Sequence, residues 1–332
     1  CRALAENGTG TAVISNDQGI RLVDGDLFRH LGIPARQVIN GCFCCNYEDL
    51  DQQIQSLKDT VNPAQIFAES VGSCTDIIAT VLKPLRRFRQ DAVVTLSVFA
   101  DAILLHMLLV KGEELFDETV RYIYFKQLEE ATILVVNKAD LLNPYQLEAL
   151  RKVLQNKFPG RLLHFQDARD PGQVAKWMEL CDRMPSGPVP ESLELNYQIY
   201  GEGEAKLAWL DQEIEIESAG NEANQAAARL MLDIHRRIVD VRYPIGHLKF
   251  LLNGKEKFSF TSSTTAELKS IEQPASSATL LLNARVQTGP EMLYRLVSLA
   301  IAGLENEGGL QIRTKSVSSF QPGFPKPAHR MV

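Results

Sequence analysis

Ala131-Thr-Ile-Leu-Val-Val-Asn-Lys-Ala-Asp140, followed by Leu141-Leu-Asn-Pro144, decides the fold. Its first six residues form an almost unbroken apolar run, as expected of a strand buried on both faces. The polar residues end that strand, and Asn143 with Pro144 reads as the cap and first position of a helix. Strand, polar loop and helix make a βα unit, and the alternation continues on either side. Apolar runs lie at 11–15, 64–68, 92–99 and 161–165, and helical periodicity falls near 48–61, 75–90, 101–110, 112–129 and 144–158. The expectation is an α/β fold: a mostly parallel, doubly wound sheet with helices on both faces.

Ligands of such sheets bind beyond the carboxyl ends of the strands, so the polar residues there are the candidates. Asn137-Lys-Ala-Asp140 is the most specific set. A carboxylate held on a rigid strand end can accept two hydrogen bonds from N1–H and the exocyclic amine of guanine. Adenine would leave the charge unpaired, so discrimination is steep. Asp140 is the candidate for that role, with Asn137 holding the loop and the stem of Lys138 covering one face of the base. Ala168, in Gln166-Asp-Ala-Arg169 after the fifth strand, is a further nucleotide contact. Glu69 and Gly72 follow the second strand; an ordinary turn would also read this way. Their functional reading is that Glu69 orients water or a magnesium shell while the Gly72 amide approaches a terminal phosphate. Asp17, after the first strand, could contact magnesium or its water, since hard oxygen donors suit that ion.

Gly41-Cys-Phe-Cys-Cys-Asn46 places three thiols within four positions, directly before a helix whose Leu50, Ile54, Leu57 and Val61 share one face. Asn46 reads as that helix's cap, with Asp49 as its returning partner. The helix dipole favours thiolate there, and Cys42, Cys44 and Cys45 together suit zinc, cobalt(II) or iron. Buried cysteines also pack as small hydrophobes, but this run adjoins a polar cap. Cys1, Cys74 and Cys181 form no disulfide framework. Glu48, Asp49, water or a distant histidine could each supply a fourth ligand.

The 332 residues suffice for two domains, and a net charge of −6 without basic clusters argues against nucleic acid as partner. Residues 92–110 are apolar, but Asp101 sits mid-run, where a bilayer would charge about 2.5–3.5 kcal/mol for a carboxylate; the run reads as core. No signal peptide is visible, and the chain opens on what reads as the tail of a helix over residues 1–6. The expected division is a nucleotide-binding domain over 1–183, a linker over 184–192, a smaller domain over 193–319 and a Pro-rich tail over 320–332, extended or docked. The smaller domain reads β-α-β-β-α-β, the order of a ferredoxin-like α+β sandwich. His235, His247 and His329 could reach a metal or client, though a satisfied or solvent-facing histidine is the commoner case.

Together these pieces resemble the CobW-like metallochaperone GTPases, relatives of the hydrogenase and urease nickel-insertion GTPases. The matching stretches are Ala12-Val-Ile-Ser-Asn-Asp-Gln-Gly19, Asn40-Gly-Cys-Phe-Cys-Cys45, Glu69-Ser-Val-Gly72 and Asn137-Lys-Ala-Asp140. The resemblance implies a P-loop GTPase fold, GTP hydrolysis with Mg2+, zinc (Zn2+) or cobalt (Co2+) on the Cys-x-Cys-Cys thiols, and handover to a client metalloprotein or cofactor-biosynthesis enzyme. It also implies a cytoplasmic setting without membrane attachment and a nucleotide-dependent homodimer.

Three departures from the family pattern matter. Gly-x-x-x-x-Gly-Lys-Ser/Thr is absent from the 332 residues. In the family it precedes the helix whose tail would be residues 1–6, so the sequence is expected to start about one loop late, lacking the first strand. Taken literally it would bind GTP poorly, and GTPase activity is expected only if that loop is present in the full-length protein. The segment after Glu69 carries an extra thiol, Cys74, and the six histidines are spread over the whole chain. A non-enzymatic zinc-binding adaptor on a degenerate GTPase fold, or a GTPase assembly factor for a cobalamin-dependent enzyme, are the alternative readings.

Overall fold

The computed structural model describes residues 10–16, 19, 23–39, 41–90, 92–184, 190–262, 271 and 273–332. Asp17, Asn40, the helix end expected over 1–6 and most of the expected linker lie outside them.

In chain order the first half runs β1 (Thr11–Asn16), α1 (Val23–His30), β2 (Ala35–Val38), α2 (Tyr47–Thr60) and β3 (Gln65–Glu69). A π-helical turn, Ile78–Leu82, then feeds α3 (Lys83–Phe88) and β4 (Ser97–Asp101). Next come α4 (Ala102–Leu105), extended by a second π-helical turn, then α5 (Glu118–Glu130), β5 (Ile133–Asn137), α6 (Pro144–Lys157), β6 (Leu162–Gln166) and α7 (Pro171–Arg183). Asn143 and Gln146 close a capping box at the start of α6, as Asn143-Pro144 foretold.

The strands are parallel and alternate with helices, as expected. They form two three-stranded sheets, β2-β1-β3 and β4-β5-β6. Between β3 and β4 the link is side-chain packing. Trp177 of α7 sets its ring 5.7 Å from that of Phe67 on β3 and 5.1 Å from that of Phe99 on β4, and its Nε1 donates to Ser97 Oγ at 3.0 Å. The helix expected over 75–90 begins late because Asp76 takes a left-handed φ of 64°. The one expected over 112–129 begins at Glu118, where the Asp117 carboxylate accepts from Thr119 N.

The second half runs α8 (Tyr197–Ala205), β7 (Leu207–Ser218), α9 (Ala223–Asp240), β8 (Ile245–Leu252), β9 (Glu256–Phe260), β10 (Ser277–Gln287), α10 (Pro290–Glu305) and β11 (Leu310–Phe320). All pairings are antiparallel, in the order β11-β7-β10-β8-β9. With β9 set aside as a hairpin partner of β8, this is the ferredoxin-like sandwich. Leu230, Ile234 and Ile238 of α9 and Leu293 and Val297 of α10 bury against alternate residues of the strands, among them Leu210, Ile214, Phe250 and Leu282.

The other face of this sheet turns to the first half. Leu251 and Leu281 cover Val23 and Leu27 of α1, while Lys249 and Lys257 both hold Asp24. Those two ammonium groups draw the Asp24 carboxyl below its ordinary range despite burial. Helix α8 packs tightly on α5. A Cβ at Gly203 would lie 2.6 Å from Thr119 O, so glycine is required by the approach. Glu204 of α8 meets Arg285 of β10 at 2.7 Å, both nearly fully buried.

Removing one member of that pair leaves the other charge buried alone. Arg285→Met should therefore cost about 3–5 kcal/mol in denaturant unfolding, and adding Glu204→Leu should recover most of it. An unchanged midpoint for the single variant would show that the pair contributes nothing.

Candidate metal and nucleotide site

Asn16, the last residue of β1, organises the thiol loop. Its Nδ2 donates to Val38 O at 3.0 Å and to Gly41 O at 2.7 Å, and its Oδ1 accepts from Phe43 N at 2.9 Å. The loop then closes on itself, with Cys45 N and Asn46 N both donating to Cys42 O. Gly41 has a φ of 150°, and a Cβ there would sit 2.7 Å from Asn46 Nδ2. That crowding explains the glycine before the first thiol.

The three sulfurs converge. Sγ–Sγ distances are 2.7 Å for Cys42–Cys44, 3.3 Å for Cys42–Cys45 and 3.8 Å for Cys44–Cys45. A tetrahedral zinc with bonds of about 2.3 Å would set its sulfurs about 3.8 Å apart. One edge already has that length, and side-chain rotation would open the other two. Among the described residues this is the one cluster of three or more metal-donor side chains. Cys42 and Cys44 are buried and Cys45 is half-buried. Hydrogen bonds from the neighbouring thiols hold Cys42 well below the ordinary thiol range, whereas Cys44 and Cys45 are pushed up because they face that thiolate. The ligand thiols give up their protons as a cation binds.

The expected cap is not formed. Asn46 makes no side-chain bond to α2; its Nδ2 reaches back to Ile39 O at 3.3 Å, and Asp49 instead accepts from Gln53. The turn that gathers the sulfurs draws Asn46 away from its own helix.

A second loop, from Ser70 into the π-helical turn, lies against the thiols. Cys74 shares the apolar core of Cys42, Cys44 and Trp209. Gln127 donates to Gly72 O and Cys74 O, and Tyr200 OH accepts from Thr75 N. Glu130 of α5 accepts from Ile78 N and Thr75 Oγ1, and burial raises its pKa to about 7. Glu69 is exposed at the end of β3, and nothing lies within 4 Å of where a Cβ on Gly72 would sit. A ligand could approach that backbone closely.

The Pro-rich segment crosses both loops, docked and without helix. Lys326 N donates to Cys45 Sγ at 3.3 Å and Ala328 N to Cys44 O at 2.8 Å. His329 bonds Glu48 at 3.1 Å and sets its ring edge-on to Tyr47. Arg330 pairs with the fully buried Asp76 at 2.7 Å. His235 and His247 lie instead in the second half, against Phe260 and Trp209 respectively.

The base-recognition candidates sit at the ends of β5 and β6. Asn137 Oδ1 accepts from Ala168 N at 3.0 Å, tying the two loops together. Lys138 has a left-handed φ of 58°, and its Nζ reaches Asp101 Oδ2 at 2.7 Å, laying its stem across the loop. Asp140 is held by Arg169 at 2.8 Å. The structure brings Asn137, Lys138, Asp140 and Ala168 into one site, and Cys42, Cys44 and Cys45 into another.

Residues 2–163 match the family described as CobW/HypB/UreG, nucleotide-binding domain. Over those residues, just under half of the chain, the sequence is similar to that family. A CobW-like nucleotide-binding domain is thus followed by an antiparallel sheet domain. The structure of HypB from Helicobacter pylori in complex with nickel aligns at 16% identity and a TM-score of 0.42, over 58% of this chain and 83% of that one. HypB from Archaeoglobus fulgidus aligns at 16% identity and a TM-score of 0.38, over 55% and 79%. No curated protein sequence matches the chain. Among the described residues no helix is long and apolar enough to cross a membrane.

Sequence reasoning passed over Asn16, which stood out only as part of the stretch over 12–19. It also passed over Tyr200 and the contacts of residues 326–331, because partners more than 100 positions away leave no local pattern. If residues 322–332 shield the thiols, deleting them should speed modification of Cys45 by a disulfide reagent roughly tenfold, equivalent to about 1.4 kcal/mol of lost protection. An unchanged rate would show that the segment does not cover the site.

Proposed function

We propose that the protein is a cytoplasmic, GTP-dependent metal chaperone. It holds a divalent transition ion, zinc or cobalt(II), on Cys42, Cys44 and Cys45 and passes it to a client metalloprotein or cofactor-biosynthesis enzyme. The observation that carries this reading is the suspension of three converging thiols from Asn16 at the end of β1, inside a nucleotide-binding domain and against the loop that follows Glu69. Soft thiolates suit such an ion. Residues 1–183 act as the nucleotide domain and 193–319 as the smaller one.

Asp140 binds guanine by exchanging Arg169 for the N1–H and exocyclic amine of the base. Asn137 fixes the loop against Ala168, and the Lys138 stem covers the ring. Magnesium, arriving with the nucleotide, neutralises phosphate charge; Asp17 and Glu69 are the hard oxygen donors for its water shell, and the Gly72 amide faces the phosphate end. The phosphate-cradling pattern does not occur within these 332 residues, and the tests below use the full-length protein.

Linkage requires that nucleotide and metal alter each other's affinity by the same factor. Zinc titrations with a non-hydrolysable GTP analogue and with GDP should differ by about 5- to 150-fold, and zinc should shift analogue affinity reciprocally. Equal zinc affinities would remove the switching claim. Asp140→Asn should lower guanine preference over adenine by at least about tenfold, with zinc affinity in the absence of nucleotide unchanged. Retained preference would place base recognition elsewhere.

A further inference from the structure

We propose that Cys42 and Cys45 are a redox pair as well as metal ligands: a hydroperoxide joins them in a disulfide, which takes two of the three sulfurs from the ion and releases it. The release rests on the reading of Cys42, Cys44 and Cys45 as metal ligands, and the pair itself rests on the geometry of the turn.

The turn sets the two residues within bonding range. Cys45 N donates to Cys42 O at 3.0 Å, so Cys42-Phe-Cys-Cys45 is a hydrogen-bonded turn. Such a turn holds its first and fourth Cα atoms within about 7 Å, and disulfides span Cα separations of about 4.4–6.8 Å. The two sulfurs already stand 3.3 Å apart. Cys42 is also fixed from both sides, because Asn16 bonds the carbonyl of Gly41 before it and the amide of Phe43 after it.

Access and distance then select the partners. Cys45 is half-buried, whereas Cys42 is 5% and Cys44 1% exposed. An oxidant arriving from solvent therefore meets Cys45 first. From Cys45 the nearer sulfur is that of Cys42, at 3.3 Å, against 3.8 Å for Cys44. A sulfenic acid without a neighbour passes on to sulfinic acid and is lost, whereas a thiol close by traps it as a reversible disulfide. Cytosolic disulfides are of this transient, redox-sensing kind.

With hydrogen peroxide the steps balance as follows. The Cys45 sulfur attacks one peroxide oxygen, the O–O bond breaks, and the thiol proton leaves with the other oxygen as water, giving Cys45 sulfenic acid. The Cys42 sulfur then displaces that hydroxyl, which leaves as a second water with the Cys42 proton, and the S–S bond forms. Two thiols lose two electrons and the peroxide gains them. Disulfide sulfurs are no longer the thiolates that bind metal, so the ion keeps Cys44 alone and departs. A dithiol reductant restores the three ligands.

The test treats the reduced, metal-free, full-length protein with hydrogen peroxide, then alkylates it and maps the cysteines by mass spectrometry. Two thiols should be lost from residues 42–45, with Cys44 the one still alkylated there, and dithiothreitol should restore all three. Zinc-loaded protein should release its zinc to a chromogenic chelator in step with the loss of thiols. Cys45→Ser should lose the fast reaction, and Cys44→Ser should keep it. A link from Cys42 to Cys44 with Cys45 still alkylated, sulfinic acid at Cys45 without a link, or thiols that resist peroxide would each overturn the pair while leaving the three-cysteine metal site standing. The wild-type map decides the pairing even if a variant fails to fold. A Cys42–Cys45 disulfide in a protein that binds no stoichiometric zinc when reduced would keep the pair and overturn both the metal reading and the release.

Discussion

One carboxamide fixes where the sulfurs stand. Asn16 at the end of β1 spends its Nδ2 on two carbonyls and its Oδ1 on one amide of the turn leading into the thiols. Buried backbone groups must be paired, and a turn that bends three thiols toward one point cannot pair its own. The parallel strand supplies the missing partners, so the metal site inherits the rigidity of the sheet. Aspartate would lose both donated bonds and place a charge against two carbonyl oxygens, whereas the amide satisfies both kinds of group at once.

Around that anchor the thiols form a junction between the two halves of the molecule. Trp209 of β7 packs in the same core, Tyr200 of α8 bonds the Cys74 loop, and residues 326–331 cross the thiol loop toward Asp76. Trp209 also stacks on Phe320, where β11 leads into the Pro-rich segment. A change at the sulfurs is therefore felt by the antiparallel sheet without any long relay. The ionic contact of Asp24 with Lys249 and Lys257, and the apolar contact of α1 with β8 and β10, keep the two halves in register.

Much of this was legible in the sequence. Each apolar run assigned to a strand in the first half contains one, although the run over 92–99 becomes strand only from Ser97; β1 and β5, buried along their length, were the plainest. The β-α-β-β-α-β order of the second half was equally plain, since its long strands and amphipathic helices bury one face each. The elements that escaped are short or ambiguous. The strand over Ala35–Val38 reads Ala-Arg-Gln-Val with no alternation, and α8 carries two poor helix formers, Gly201 where Phe324 approaches and Gly203 where α5 does. The thiol cluster and the Asn-Lys-Ala-Asp loop were visible as motifs. The Asn46 cap was misread because a tertiary demand, gathering three sulfurs, outweighed a local preference worth about 1 kcal/mol.

Whether thiols and base pocket can influence one another depends on what connects the two sheets, and helix α5 does so. At its C-terminal end Gln127 and Glu130 hold the loop bearing Cys74. One turn earlier, Tyr124 is buried close enough to Asp101 for that carboxylate to raise its phenol pKa further. Asp101 caps α4 and holds Lys138 at 2.7 Å, beside the residues assigned to guanine. Asp101, whose charge is felt by the buried Tyr124, thus lies near the middle of α5, and the end of that helix holds the backbone of the Cys74 loop. Such a chain of contacts is not itself coupling, which requires two arrangements that both ligands bias. What the fold adds is a candidate for the second arrangement. The Cys74 loop is tied to α5, α8 and residue 330 by polar bonds, while apolar packing ties it to the thiols. A shift of α5 would therefore carry Cys74 along and leave Cys42, Cys44 and Cys45 with Asn16.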